Sequence, residues 1–330
     1  MKRSALIAAT MAVLATPIAA QQTLKLGHYY SPDDFRAQTA QYFADRLMEK
    51  TNEVTVDIFP NESLVKGREA LQGVSQGTVD IYPVFSGYIS GQVPLVNVFS
   101  LPFPPESYDD EAMFELAQDP NTAEVLDETF EQYGIKYLGV VNSTGPAQMF
   151  LSDPVEGIAD LEGKKIRGAG GLSDEALAQI GASVTMLSAA EQFLALQTGT
   201  VDGITTTWSS YVNYGLYDVA PTYLAATVLR GPYLLMMNKA KYDGLSSEAQ
   251  NAIAEAVDET VDWSRENFAA GQEDLREEVI SHAENVVEIS DEDAQALRDQ
   301  MQPIYDSYVE RNGEAGAQLM KLWQEIVGQK

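Results

Sequence analysis

Arg167 is the residue of this chain best suited to holding an anion. It ends the short stretch 164–167, whose pattern predicts a strand, and Gly168-Ala169-Gly170-Gly171 turns the chain into a helix predicted over 174–180. A guanidinium fork matches a carboxylate with two parallel hydrogen bonds. A helix N-terminus nearby adds a favourable field for negative charge. The chain carries 21 Lys and Arg against 49 Asp and Glu, for a net charge of −28. In so acidic a protein an anion needs a local positive site. On these residues alone, a structural pairing of Arg167 with a neighbouring acid stays equally open.

Other chemistry finds little support. Gly168-x-Gly170 with Glu191 downstream imitates a dinucleotide fingerprint, but Ser173 stands where the third glycine belongs, and Glu191 is explained by a capping box with Ser188. There are two histidines, His28 and His282, and no cysteine, so zinc spacings and thiolate chemistry are excluded. No GxSxG elbow occurs. With 49 acids, chance carboxylate pairs are unavoidable and say nothing of a glycosidase. His28 follows a predicted strand and either lines a cleft or sits in a loop. No cofactor is implied.

The elements that would position Arg167 are written twice. Gly77-Thr78-Val79-Asp80 recurs as Gly199-Thr200-Val201-Asp202. Each copy follows a helix-like run, Ala70-Leu71-Gln72 or Ala195-Leu196-Gln197, and each precedes an aromatic-Ser-x-Tyr stretch, Phe85-Ser86-Gly87-Tyr88 or Trp208-Ser209-Ser210-Tyr211. Both halves read strand, helix, strand, helix, GTVD, strand. This predicts an α/β fold of two lobes with a ligand cleft between them. Where the second half has Arg167, the first has Leu26 or Gly27.

Residues 1–20 read as a signal peptide: Lys2 and Arg3, an apolar run too short to span a bilayer, then small residues before Gln21. The mature chain is long enough for two domains and is expected to be exported to a periplasm, with no direct membrane insertion. Its negative charge argues against nucleic acid as a partner. Ser31 and Pro32 are expected to open the first helix, and residues 208–220 to form another. A long helix should follow the Ser247/Gln250 capping box, interrupted or bent near Gly271.

Several stretches together resemble the extracytoplasmic solute receptors of tripartite ATP-independent periplasmic (TRAP) transporters, the DctP-like proteins. In the second half these are Asp160-Leu161-Glu162-Gly163-Lys164-Lys165-Ile166-Arg167, Ile180-Gly181-Ala182 and the run Ala195–Gly203 around GTVD. In the first half they are Phe59-Pro60-Asn61, Gln76-Gly77-Thr78-Val79-Asp80 and Leu101-Pro102-Phe103. The resemblance implies a periplasmic binding protein fold with a long helix spanning both lobes. Lobe one should hold residues 21–142, lobe two 143–229, and 230–330 should return to lobe one and supply the spanning and C-terminal helices.

The resemblance further implies that Arg167 takes the family's carboxylate-binding place. Many members carry a second arginine where this chain reads Asn142 to Gln148, a departure that argues against sialic acids and ordinary dicarboxylates. The place of a ligand-binding asparagine falls near Thr206. Trp208 and Tyr211 are expected to sandwich the ligand body, with Phe85, Tyr88 and Tyr29 as further walls. The expected function is capture of an organic acid, a monocarboxylate, for a TRAP permease, without enzymatic activity. A binding protein for an ATP-binding-cassette transporter or a sensor, or an exported hydrolase, are the alternatives.

Overall fold

The computed structural model describes residues 21–32 and 34–329; the expected signal peptide and Asp33 lie outside them. One five-stranded sheet contains β1 (Gln22–Gly27), β2 (Val54–Phe59), β3 (Ile81–Phe85), β4 (Ile135–Ser143) and β10 (Pro232–Asn238), ordered β2-β1-β3-β10-β4. A six-stranded sheet contains β5 (Ala147–Leu151), β6 (Lys165–Gly168), β7 (Ser183–Met186), β8 (Gly203–Thr207), β9 (Thr222–Leu229) and β11 (Asn285–Glu288), ordered β11-β9-β5-β8-β6-β7. In each sheet β1–β3 or β6–β8 pair in parallel, and a strand of opposite direction closes the unit.

The GTVD echo has one physical cause in both lobes. The helices Ala70–Ser75 and Gln192–Gln197 end at Gly77 and Gly199, whose φ values of 73° and 67° suit glycine. Thr78 and Thr200 then donate back to Gly73 and Ala195, both at 2.9 Å. Asp80 and Asp202 clamp the neighbouring strand, each carboxylate accepting the backbone N–H of Lys25 or Lys165 at 2.8 Å. Lys25 and Lys165 are therefore equivalent, and the lobe-one counterpart of Arg167 is Gly27. A Cβ there would meet Val79 at 3.1 Å and Tyr82 at 3.2 Å, so a side chain at this place in lobe one would have to push both aside.

Two short crossings join the lobes: Thr144-Gly145-Pro146 between β4 and β5, and Arg230-Gly231 between β9 and β10. They are tied to each other. Thr144 N–H donates to Gly231 O at 2.9 Å, and Gly231 N–H to Thr144 Oγ1 at 3.0 Å. Asp110 ties the end of β4 to the second crossing, accepting from Ser143 Oγ at 2.5 Å and pairing with Arg230 at 3.1 Å.

The third connection is the helix Ser247–His282, capped by Ser246 accepting from Ala249 N–H at 3.1 Å. It packs on the helix Phe35–Lys50 through Glu259, which takes Arg46 and Lys50, both at 2.6 Å. Its far end puts Val279 into the lobe-two core.

Four local expectations change. Asp34, not Ser31, caps the first helix, accepting from Arg36 N–H at 2.8 Å. The helix from Trp208 stops at Asn213, and only the 3-10 turn Leu216–Asp218 follows before residue 220. Gly271 does not break its helix, which runs 36 residues. After that helix the chain adds β11 to the edge of the lobe-two sheet, parallel to β9. Four residues alternating part-buried and exposed were too short a pattern to read as a strand.

Candidate functional site

Arg167 lies near the end of β6, facing the seam between the lobes, with 3% of its surface exposed. Its Nε donates to Leu187 O at 2.9 Å and its Nη1 to Thr205 O at 2.5 Å. Both acceptors are neutral carbonyls. No carboxylate lies within ion-pair distance among the described residues, and Nη2 has no partner among them. The structural ion pair left open by the residues is therefore not what holds Arg167. Two carbonyls aim the fork; Asp174 acts on its charge through space, but no carboxylate touches it. A buried charge with no carboxylate in contact is costly, so such a site is poised to accept an anion.

A second arginine, which sequence reasoning missed, faces the same space. Arg36 is 6% exposed. Asp34 takes its Nε at 2.7 Å and its Nη2 at 2.5 Å, a bidentate pair. Its Nη1 donates to Tyr233 OH at 2.6 Å, and the guanidinium lies over the rings of Tyr30 and Tyr233. Lobe two completes the cluster: Asn213 Nδ2 donates to Asp34 at 3.0 Å and Ser210 Oγ stands 3.4 Å from Arg36 Nη2. Burial alone would raise the Asp34 carboxyl, but Arg36 outweighs it and holds the pKa below the usual range. An Asp at a helix start followed two residues on by Arg, in a chain poor in arginine, was the available signal.

The two arginines line a small chamber of about 40 Å³ between the lobes. Lobe one contributes Tyr29, Phe85, Tyr88 and Tyr233; lobe two contributes Ala189, Gln192, Ser210 and the β8 threonines Thr205, Thr206 and Thr207. No carboxylate lines it among the described residues. The lobes close over it. Tyr88 OH accepts the Ala189 N–H at 2.9 Å, and Arg68 reaches Met186 O at 3.3 Å. At Gly170, where φ is 100°, a Cβ would stand 2.4 Å from the Gly87 carbonyl oxygen, so this close approach of the two lobes needs a glycine. A wider groove along the same seam, with Tyr88 in both walls, is open to solvent and mixes both signs of charge, including the Arg311–Glu175 pair.

A model of the bacterial extracellular solute-binding proteins, family 7 (DctP), matches residues 26–312. The chain belongs to this family. The 2,3-diketo-L-gulonate-binding periplasmic protein YiaO of Escherichia coli K12 is 28% identical over 329 residues, covering 98% of this chain and 97% of that one. A TRAP periplasmic solute-binding protein from Desulfovibrio salexigens with bound orotic acid matches with a TM-score of 0.84 and 25% identity, over 94% of this chain and 99% of the other. One from Pseudomonas aeruginosa with bound L-malate matches with a TM-score of 0.80 and 23% identity, over 87% and 100%. The two-lobed α/β fold is that of TRAP solute receptors. No helix among the described residues is long and apolar enough to cross a membrane.

In this family 7 solute-binding protein the chamber gathers Arg167, Thr206, Tyr29, Phe85 and Tyr88. Four other expected site residues do not line it. Tyr211 is fully buried in the lobe-two core, stacked on Phe150 at 3.9 Å, with its hydroxyl on Ala220 O. Trp208 packs on the same core and directs its indole N–H to Tyr223 OH at 3.3 Å. The expected sandwich is thus lobe-two packing. Gln148 points to the other face of β5 and donates to Thr227 Oγ1 at 3.2 Å. Asn142 donates to Thr39 Oγ1 at 3.1 Å and lines a separate small cavity behind Arg36. The N-terminus of the helix Leu172–Gln179 also misses the chamber: Asn97 of lobe one accepts the Leu172 N–H at 3.3 Å, and Asp174 accepts that of Gly170 at 2.9 Å.

His28 lies outside the chamber too, 2% exposed, stacked on Tyr30 and beside the outer groove that Tyr42 and Trp263 line. Burial lowers its pKa from 6.5 to about 4, against a smaller opposing pull from Asp34. Below pH 6.5 the unfolded chain takes up a proton that the folded chain refuses. Stability contributed by neutral His28 is therefore lost as pH falls from about 6.5 to about 4, by about 3 kcal/mol in all. Urea unfolding at pH 7 and pH 4.5 should show this loss, and His28→Phe, which keeps the stacked ring, should flatten it. An equal slope in the variant would assign the loss to other groups.

Proposed function

We propose that this solute-binding protein captures a small organic acid bearing one carboxylate and hands it, in the periplasm, to the membrane subunits of a TRAP transporter. The observation that carries the reading is the charge balance of the chamber. Arg36 is already neutralised by the bidentate contact with Asp34, whereas Arg167 is held only by carbonyls. One positive charge is left for the ligand. A second carboxylate would be buried against Thr206, Ser210 and aromatic rings, with its desolvation uncompensated.

Family membership supports the receptor role, and the similarity to YiaO supports a periplasmic address. Relatives are not confined to one carboxylate, as the malate complex demonstrates. The preference for a monoanion therefore rests on the Asp34–Arg36 pair of this chain. Titration calorimetry with lactate and with malate, which differ by one carboxylate, tests it. Lactate should bind tenfold or more tightly than malate. Tighter binding of malate would sink the monocarboxylate reading. Native mass spectrometry of freshly purified protein would name the physiological acid.

A further inference from the structure

Gln192 opens the helix Gln192–Gln197 and faces the chamber with none of its surface exposed. Neither its Oε1 nor its Nε2 has a hydrogen-bond partner among the described residues. The Thr205 hydroxyl, also on the chamber wall, is unpaired as well. Buried polar groups in folded chains are almost always paired, because leaving them dry forfeits their bonds to water.

The surrounding protein groups are already committed. Glu191 caps Ser188 N–H at 2.7 Å, and Ala189 N–H is on Tyr88 OH at 2.9 Å. The two unpaired side chains also belong to the two segments that hold Arg167. Thr205 O takes its Nη1, and Leu187 O, just before the turn that leads into Gln192, takes its Nε. Gln192 and Thr205 therefore stand in the same chamber wall as the anchors of Arg167.

We propose that Gln192 is the specificity-determining residue of the chamber, its carboxamide reading a neutral ligand group next to the carboxylate that both donates and accepts a hydrogen bond. The inference rests on the carboxylate reading of Arg167. A carboxamide left unpaired at both ends asks for both halves of the exchange: a donor for Oε1 and an acceptor for Nε2. A hydroxyl on the carbon beside the carboxylate supplies both, and so does the N–H and C=O edge of a lactam. A ketone or an ether supplies only the acceptor and leaves Oε1 dry. A site of this kind rejects a hydrocarbon isostere strongly, because the isostere strands the buried polar group.

Two matched pairs of acids test this on the mature protein by calorimetry: lactate against propionate, and pyroglutamate against cyclopentanecarboxylate. The unmutated protein should bind the polar member of at least one pair tenfold or more tightly, and the pair that shows it separates hydroxyl from lactam. In Gln192→Leu the ratio should fall within threefold, with the loss falling on the polar acid. Should that variant fail to fold, Gln192→Met repeats the comparison, and the ligand pairs on the unmutated protein still decide whether the preference exists.

No preference in the unmutated protein, or a preference that survives in the variant, would overturn the proposal. If the preference survives Gln192→Leu while Arg167→Ala abolishes binding, the role of Gln192 falls and the carboxylate reading stands. If no acid of either pair binds the unmutated protein, the role of Gln192 falls, and Arg167→Ala titrated with the co-purified acid decides the carboxylate reading.

Discussion

Arg167→Ala should weaken binding of the captured acid by about 30-fold to several-thousand-fold while leaving the fold intact. The range follows from the roughly 2–5 kcal/mol lost when one side of a buried, hydrogen-bonded charge pair is truncated, at about 1.4 kcal/mol per decade of affinity. Arg167→Lys should recover only part of it. Leu187 O and Thr205 O hold a planar fork in one orientation, and a flexible point charge cannot use the same two anchors and still present two parallel donors. Calorimetry gives the affinity and circular dichroism the fold. A folded alanine variant within threefold of the unmutated protein would leave Arg167 no part in binding.

Asp34→Asn should have two effects at once. The substitution strips the counter-ion from a buried guanidinium, a change that costs roughly 3–5 kcal/mol of stability. It also leaves two arginines, Arg36 and Arg167, facing the chamber with no carboxylate in contact. The variant should therefore unfold at lower urea and shift its preference toward dicarboxylates such as malate. A variant that loses less than about 1 kcal/mol, a change of about fivefold in the unfolding equilibrium, and still prefers lactate would show that Asp34 does not set the charge of the site.

The parts of this molecule legible in the sequence were those written locally. The GTVD repeat announces a glycine-terminated helix followed by an aspartate that clamps the next strand, and these interactions recur within each lobe. Arg167 was legible because it breaks the repeat at a place where lobe one has only Gly27. Arg36 was not, because its role depends on Tyr233 and Ser210, brought to it only by the folded chain.

Trp208 and Tyr211 failed by one step of helix rotation. Residues three apart share a helix face. In the helix Trp208–Asn213 and its cap, Thr207 and Ser210 take the chamber face and Trp208 and Tyr211 the core face. Aromatic composition flagged the right helix but could not say which way it was turned. Gln148 failed by the two-residue period of a strand: its neighbour Ala147 lines the chamber, so Gln148 points away.

A crystal structure of the protein with its co-purified acid would test the central claim most directly. The expected result is a single ligand carboxylate within hydrogen-bond distance of Arg167, with Arg36 still on Asp34. A ligand whose carboxylate sits on Arg36, or one lodged in the wider groove near Arg68 and Arg311, would contradict it.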